Sequence, residues 1–272
     1  MNEASERWGN LLSKSGYEHH IGDKKDCRRI ARLTRTWKKI FRVIGKNSPL
    51  PADFDIFEAG CGGGGQLAPF ALRGYHCVGL DVSEEVLERG RNYIKEISDV
   101  CGKCLDVDFV AGDILDFNEK TLGNRKFHLV FHVGVLEHFL DDNVRLQALK
   151  NMFSITKPGG YLIVIVPSGI HPLRRRVKED GWGGYNVPEM DYSPSLLIDE
   201  FEKVGAIEAR VMPNNVFGYL LLRRPGSSFF EVVRKMMYYA LQMIPTGFWP
   251  RDFAYRHSMS FIGIARKPWE IN

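Results

Sequence analysis

Between residues 55 and 166, short apolar runs alternate with segments in which apolar residues recur every three or four positions. Short, almost continuous apolar runs predict buried strands, and segments with apolar residues three and four positions apart predict helices between them. The strands are predicted at 55–59, 75–80, 107–111, 127–132 and 161–166, and the helices at 66–73, 83–97 and 141–155. Such alternation is typical of a parallel sheet with helices on both faces. We therefore expect an α/β, doubly wound fold.

Amphipathic segments flank this region on both sides. Residues 26–45 predict a helix whose apolar face caps the core, while its other face carries seven basic residues. Beyond residue 167 the pattern predicts a helix at 193–204, a strand at 206–212, an amphipathic segment at 228–244 and a strand at 256–266. We therefore divide the chain into an N-terminal helical cap, a core, a lid or insertion, and a final strand of the core, at residues 1–50, 51–212, 213–255 and 256–272.

A glycine-rich turn at residues 60–65 joins the first predicted strand to the first predicted helix. Glycine adopts backbone conformations that are closed to residues with a Cβ, and free amide groups at a helix start attract anions. Asp81 closes the second predicted strand, where a carboxylate can accept hydrogen bonds from both hydroxyls of a ribose. Together the two features predict a nucleoside-containing cofactor across this edge of the sheet.

The glycine spacing alone does not identify that cofactor, because Gly60-x-Gly62-x-x-Gly65 also satisfies the dinucleotide fingerprint. Two acidic residues argue against a nicotinamide cofactor. Glu58 could meet a cationic amino group but would repel a pyrophosphate. Asp113 follows the third predicted strand and is suited to accept a hydrogen bond from an adenine amino group.

Five segments then occur in one order, namely EAGCGGGG, GLDVS, AGDI, LVFHVGVLEHF and KPGGYLIVIVP. Between about Asp55 and Pro167 the chain therefore resembles the class I S-adenosylmethionine (SAM)-dependent methyltransferases. The resemblance implies a seven-stranded, mostly parallel sheet with an antiparallel last strand, an N-terminal helical cap and an insertion before that strand. It also implies SAM as the cofactor.

The resemblance further implies how this chain would contact SAM. Glu58 and the glycine turn would hold the methionine end, Asp81 the ribose, and the segment after the third strand the adenine. The end of the fourth strand would line the wall beside the transferable methyl group. The implied cofactor-binding residues are Glu58, Gly60, Cys61, Gly62, Gly63, Gln66, Asp81, Val82, Asp113, Ile114, His132, Val133 and Gly134.

Methyl transfer requires a general base only when the nucleophile must lose a proton. Histidine is the side chain whose ordinary pKa suits that task near neutral pH. The catalytic candidates are His138, in VLEHF, together with His171 and His132. His19 and His20 are more remote candidates.

The composition is that of an ordinary globular chain, with 272 residues, 44% of them hydrophobic, 26% charged, and a formal net charge of +4. This charge is too mild to imply nucleic acid by itself. Five cysteines form no even framework, and with the resemblance they predict a cytoplasmic location. A lone CxxC at Cys101 and Cys104 is half of a zinc motif, so no metal is expected. We also expect neither a signal peptide nor a membrane span.

The sequence after the fourth strand, His132-Val133-Gly134-Val135, does not resemble the Asn-Pro-Pro-Tyr type motif of amino-group nucleic-acid methyltransferases. The predicted function is therefore methylation of an oxygen or nitrogen of a small molecule. Aromatic residues in the variable segments would suit a planar or apolar acceptor. They are Trp182, Tyr185, Tyr192, Phe217, Tyr219 and Trp249.

Three alternatives stay open at the level of sequence. The basic helix could bring RNA or protein as the methylated substrate. The glycine turn could serve a nicotinamide oxidoreductase, or the chain could bind SAM without turning it over. The amphipathic segment 228–244 is also compatible with contact with a membrane surface. The sequence does not determine the oligomeric state.

Overall fold

The computed structural model describes residue 19 and residues 24–45, 51, 53–180, 187–222, 228–244 and 246–269. The strands are β1 (Ile56–Ala59), β2 (Cys77–Asp81), β3 (Val107–Ala111), β4 (Phe127–Val133), β5 (Thr156–Pro167), β6 (Ile207–Val216) and β7 (Ser258–Arg266). The helices are α1 (Lys24–Val43), α2 (Ala68–Ala71), α3 (Glu84–Cys101), α4 (Asp142–Ser154), α5 (Arg174–Glu179), α6 (Pro194–Lys203), α7 (Ser228–Gln242) and α8 (Arg251–Arg256). Short 3₁₀ turns lie at Leu136–His138, Gly218–Leu221 and Thr246–Phe248.

Among the described residues, seven strands form one sheet in the order β3-β2-β1-β4-β5-β7-β6. Strand β1 runs parallel to β2, with Ile56 opposite Cys77, and parallel to β4, with Ile56 opposite Leu129. Strand β2 is parallel to β3, whereas β7 is antiparallel to β6. The predicted doubly wound, mostly parallel sheet with an antiparallel last strand is therefore confirmed.

The described residues group into two compact units. The first falls within residues 1–133, 147–162 and 267–272, and the second within residues 134–146 and 163–266. All residues of β1 and β2 are buried, as expected for central strands covered on both faces.

Helix α1 caps the core of the first unit, as its pattern predicts. Trp37 is only 3% exposed, and its ring meets the rings of Phe70 and Phe131 edge to face, with centroids 4.8 and 4.7 Å apart. Such aromatic pairs add stabilisation beyond the burial of their area. The opposite face of the helix presents basic side chains to solvent, namely Arg28, Arg32, Arg35, Lys38 and Arg42.

Helix α3 follows its predicted pattern. Ser83 occupies the N-terminal capping position, yet its hydroxyl donates to Glu85 Oε2 at 2.9 Å and accepts no capping hydrogen bond from the described backbone. At the start of α6, by contrast, the Ser193 hydroxyl accepts a hydrogen bond from the Leu196 N–H, at 3.2 Å. A serine hydroxyl can serve either role, so the sequence pattern does not decide between them.

Several boundaries differ from the predicted ones. Helix α2 is confined to four residues because the glycine turn takes up the preceding ones. Strand β5 begins five residues before the predicted 161–166, because its early part pairs with the chain after β7. The Gly159 N–H donates to the Lys267 carbonyl, and the Lys267 N–H donates to the Gly160 carbonyl. The sequence pattern also missed α5 and α8, which are each six residues long and too short for a helical period to stand out.

Candidate functional site

The glycine turn after β1 requires glycine for conformational reasons. Gly60 and Gly62 have φ angles of 67° and 51°, in the left-handed region that a Cβ disfavours. The turn is also hydrogen-bonded to the neighbouring strand β2, since the Cys61 N–H donates to the Leu80 carbonyl at 2.9 Å. Cys61 itself is buried against Gly79, so its thiol faces the sheet and the residue offers only backbone to a ligand at the turn.

The two motifs predicted to share one ligand are joined directly in the structure. Asp81 Oδ2 accepts a hydrogen bond from the Gly62 N–H at 2.8 Å, and Oδ1 accepts one from the Ser83 N–H at 3.1 Å. Burial raises the pKa of Asp81, while the N–H groups of Ser83, Gly62 and Val82 oppose that rise. A carboxylate has about four acceptor sites, so Asp81 retains capacity for ribose hydroxyls while it fixes the turn.

Glu58 lies beside this pair on β1 and is 2% exposed. Its Oε2 atom is buried and accepts no hydrogen bond from any residue that the structure describes. Burial, with a smaller effect of the negative Asp81, raises the pKa of Glu58 well above its ordinary value. A buried carboxyl oxygen without a partner is costly, and an ammonium group is the partner that removes both the orphaned acceptor and the burial penalty. The site therefore fits the amino group at the methionine end of SAM.

The predicted adenine contacts occupy the turn after β3. Asp113 Oδ1 accepts from the Leu115 N–H at 3.0 Å, which fixes the turn locally. Ile114 is buried, and its carbonyl accepts from Asn151 Nδ2 at 3.0 Å. The acidic side chain and the apolar side chain thus follow each other on a turn held by α4.

The end of β4 contributes the remaining predicted contacts. The His132 side chain is 0% exposed in the first unit, so an acceptor molecule has no access to it as the protein stands. Val133 is half-buried, and Gly134 has a φ angle of 73° with its N–H donating to the Ile165 carbonyl at 2.9 Å. His132 remains a predicted catalytic candidate, but its burial makes it the weakest of the three.

His138 belongs to the second unit, in the 3₁₀ turn after β4. Its Nδ1 lies 3.2 Å from the Pro188 carbonyl, which can only accept, so in the neutral ring Nδ1 carries the hydrogen and Nε2 the lone pair. Burial lowers the pKa of His138, against the opposing effects of the Pro188 carbonyl and Glu189. His138 is therefore a neutral base of fixed tautomer at pH 7.

His171 also belongs to the second unit and is 3% exposed. Its Nδ1 accepts from the Leu173 N–H at 3.2 Å, which places the ring hydrogen on Nε2, and Nε2 has no partner within the described residues. The ring stacks on Tyr219 with centroids 5.5 Å apart, and burial and Arg174 lower the pKa of His171 to about 4. In this tautomer His171 offers a hydrogen-bond donor rather than a base.

Sequence reasoning missed Glu137, which lies beside His138. The side chain is 3% exposed, its Oε2 has no partner within the described residues, and burial raises its pKa to about 8. It lies near a charged cluster in which Arg174 bonds Asp191 Oδ1 at 2.7 Å and Glu189 Oε2 at 2.9 Å. Only its place in VLEHF pointed to Glu137, since a glutamate in a polar turn is ordinarily exposed.

Of the remaining predicted residues, some can be located in the structure and others lie outside its described part. His19 accepts a hydrogen bond from the Arg29 guanidinium through Nε2, at 2.6 Å. Gln66 is half-buried beside the glycine turn, and Gly63 is buried within it. His20, Trp182 and Tyr185 lie outside the described residues. Within the described ranges, no cluster of three or more His, Cys, Asp or Glu residues could hold a metal ion.

The chain is similar to known methyltransferases in sequence and in fold. Residues 56–160 match the family model described as "Methyltransferase domain". The ubiquinone biosynthesis O-methyltransferase of Rickettsia felis is 22% identical over 160 residues, which is 52% of this chain and 60% of that protein. The chain thus spans less than two thirds of the length of this curated relative.

Two solved structures have the same fold. A SAM-dependent methyltransferase from Archaeoglobus fulgidus superposes with a TM-score of 0.56 at 16% identity, over 86% of this chain and 94% of that one. Magnesium protoporphyrin IX methyltransferase from Synechocystis PCC 6803, solved with bound SAM, gives a TM-score of 0.57 at 14% identity and 98% coverage of both chains.

Proposed function

We propose that this chain, a class I SAM-dependent methyltransferase by its fold and by the methyltransferase domain at residues 56–160, transfers a methyl group from SAM to an oxygen or nitrogen of a small molecule. One observation supports the cofactor above the others. Glu58 is a buried carboxyl whose Oε2 has no partner within the described residues, next to a glycine turn that Asp81 holds in place. A pyrophosphate at this position would add negative charge beside two acidic residues, whereas an ammonium group neutralises them.

When bound, SAM supplies an electrophilic methyl group, and the new bond to oxygen or nitrogen forms as the sulfur–carbon bond breaks. The protein contributes alignment and the exclusion of water rather than covalent chemistry. An acceptor that begins as a hydroxyl or ammonium must also lose a proton. We assign that proton to His138 Nε2, because the Pro188 carbonyl fixes the tautomer that leaves this atom basic.

His171 and Glu137 complete the set of polar groups that we propose for the acceptor. His171 Nε2 would donate a hydrogen bond to it. Glu137 would be a hydrogen-bond donor below pH 8 and an acceptor above it. His132, which is fully buried, would act only if the chain around it moved.

Calorimetric titration with S-adenosylhomocysteine, with NADH in parallel, tests the cofactor assignment. We expect binding of S-adenosylhomocysteine alone. We expect Asp81→Ala and Glu58→Gln to weaken it by at least about tenfold, since each removes a charge-assisted hydrogen bond. Glu88→Gln, an exposed change on α3, serves as the control. Binding of NADH instead would overturn the proposal.

A screen of aryl and alkyl hydroxyls and amines against the labelled methyl donor then tests the acceptor class. We expect His138→Ala to lower turnover while the affinity for S-adenosylhomocysteine stays unchanged. An equal loss of cofactor affinity would instead make His138 a structural residue.

The exposed basic face of α1 supports a second candidate, an RNA or protein substrate. Charge reversal at Arg32, Arg35 and Lys38 would then abolish a salt-dependent gel shift with RNA. Turnover of a small molecule that ignores these changes would favour the first candidate.

We also propose a cytoplasmic location and peripheral contact with membranes. The four cysteines whose side chains are described carry free thiols, which suits a reducing compartment. No helix within the described residues has the length and apolarity to cross a bilayer. Helix α7, however, exposes apolar side chains, including Phe230, Met236 and Met237, and sedimentation with liposomes tests whether this surface binds lipid.

A further inference from the structure

A cleft of about 910 Å³ lies wholly within the second compact unit. Its walls come from α6, β6, α8 and the chain that follows β5. The volume is in the range that holds a small organic molecule. The residues assigned above to SAM and to proton transfer do not line it.

The charge of this cleft is positive. Arg210, Arg251 and Arg256 line it, against the single carboxylate of Asp252. Arg210 has Glu208 as a distant partner, with its Nη2 atom 3.9 Å from Oε2. Arg251 and Arg256 form no ion pair with any described residue, so their guanidinium groups are available to an anion. Guanidinium groups recognise carboxylate, sulfonate and phosphate through paired hydrogen bonds.

The rest of the lining is apolar and aromatic. Ile170 is 44% exposed toward solvent, and Val211 and Phe253 contribute further apolar surface. Tyr255 is fixed because its hydroxyl donates to the Val211 carbonyl at 2.5 Å. The Arg251 guanidinium lies over the Tyr255 ring, 5.7 Å from the ring centroid. This is within the roughly 6 Å over which a cation is attracted to an aromatic face.

His257 adds a flat wall that a hydrogen bond holds in place. Its Nδ1 lies 2.6 Å from the Tyr219 hydroxyl, and its ring packs on Phe253 with centroids 4.2 Å apart. Burial and the positive Arg256 lower the pKa of His257, so the ring is neutral at pH 7. A neutral, flat ring among two aromatic residues favours a planar apolar partner.

We propose that this cleft is a binding site for an aromatic organic anion, held by Arg251 and Arg256 at its charged group and by the Phe253, Tyr255 and His257 rings along its body. Arg251 and Arg256, which pair with no carboxylate among the described residues, would bind the anionic group, and the aromatic rings would contact the planar body of the ligand. The proposal does not depend on methyl transfer, since it concerns residues that the proposed cofactor site does not use.

The test uses 8-anilinonaphthalene-1-sulfonate as the anionic probe and N-phenyl-1-naphthylamine as a neutral probe with the same rings. We expect Arg251→Gln with Arg256→Gln to weaken the sulfonate by at least about tenfold in a fluorescence titration, because charged hydrogen bonds are lost. We expect the neutral probe to change by less than about threefold. The control is Arg175→Gln with Arg176→Gln, which removes the same charge from α5 and should leave both affinities within about twofold.

Ile170→Trp provides a second variant that does not alter charge. It would fill the mouth of the cleft and weaken both probes, and its exposed starting position spares the fold. Equal affinity of the sulfonate for the Arg251/Arg256 variant and the Arg175/Arg176 control would overturn the proposal. Loss of probe binding in Met236→Ser with Met237→Ser would also overturn it, because the dye would then bind the exposed face of α7.

Discussion

Glu137 offers a sharp quantitative test of the electrostatics of this fold. Its carboxyl is 3% exposed, and burial raises its pKa from 4.5 to about 8. Glu189 adds to that rise, while the Glu137 N–H and the positive Arg174 oppose it. The folded protein therefore keeps a proton on Glu137 over a pH range in which the unfolded chain has released it.

The sign of the effect on stability follows directly. Between pH 4.5 and 8 the native state binds more protons than the unfolded state, so the free energy of unfolding falls as pH rises. The contribution is fully present below pH 4.5 and is lost as pH passes through about 8. The displacement of the pKa corresponds to about 5 kcal/mol over that window. This is a large share of the stability of a typical domain.

Glu137→Gln removes the titration while it keeps the shape of the side chain. The variant should lose much of the decline in stability between pH 5 and pH 8.5. The comparison is of the pH dependence of stability in the variant and the wild type, because a buried amide brings its own cost of about 1 to 3 kcal/mol at every pH. Urea unfolding followed by tryptophan fluorescence at several pH values measures the difference, with Glu202→Gln, an exposed change in the same unit, as the control. Parallel curves for the wild type and Glu137→Gln would refute the reasoning.

Three further predictions concern the glycine turn, the cap helix and the second unit. Gly62→Ala should cost about 1 to 2 kcal/mol of stability because the φ angle of Gly62 is 51°. It should also abolish binding of S-adenosylhomocysteine in calorimetry. The control is Gly123→Ala, at a φ angle of 66° in open space, which should lose similar stability and keep the binding. Trp37→Ala should cost about 3 to 5 kcal/mol in urea unfolding, since its ring is buried against Phe70. His171→Gln should lessen the loss of stability as pH falls from 6.5 to about 4. The reason is that in this range the unfolded chain binds a proton that buried His171 does not bind in the folded state. An unchanged midpoint of the acid titration, followed by circular dichroism, would contradict this.

The sequence determined the sheet because that information is local and repeated. Apolar runs such as Ile56–Ala59 can be buried on both faces only in a covered parallel sheet, and the observed strand keeps that placement. Gly60 and Asp81 could likewise be placed at one edge, since the carboxyl ends of parallel strands meet there. The observed hydrogen bond from Gly62 to Asp81 is the direct consequence.

Tertiary structure alone decided which polar groups are buried and what they contact. Glu137 and His138 are adjacent in sequence, yet Glu137 has a buried oxygen without a partner among the described residues and His138 is held by Pro188, fifty residues away. The cleft depends in the same way on Arg210 from β6 and on Arg251 and Arg256 from α8, which no local period brings together. The pKa of a side chain and its partners depend on the dielectric and charges that the whole fold places around it. Hydrophobic periodicity therefore determined the scaffold, and long-range packing determined the chemistry.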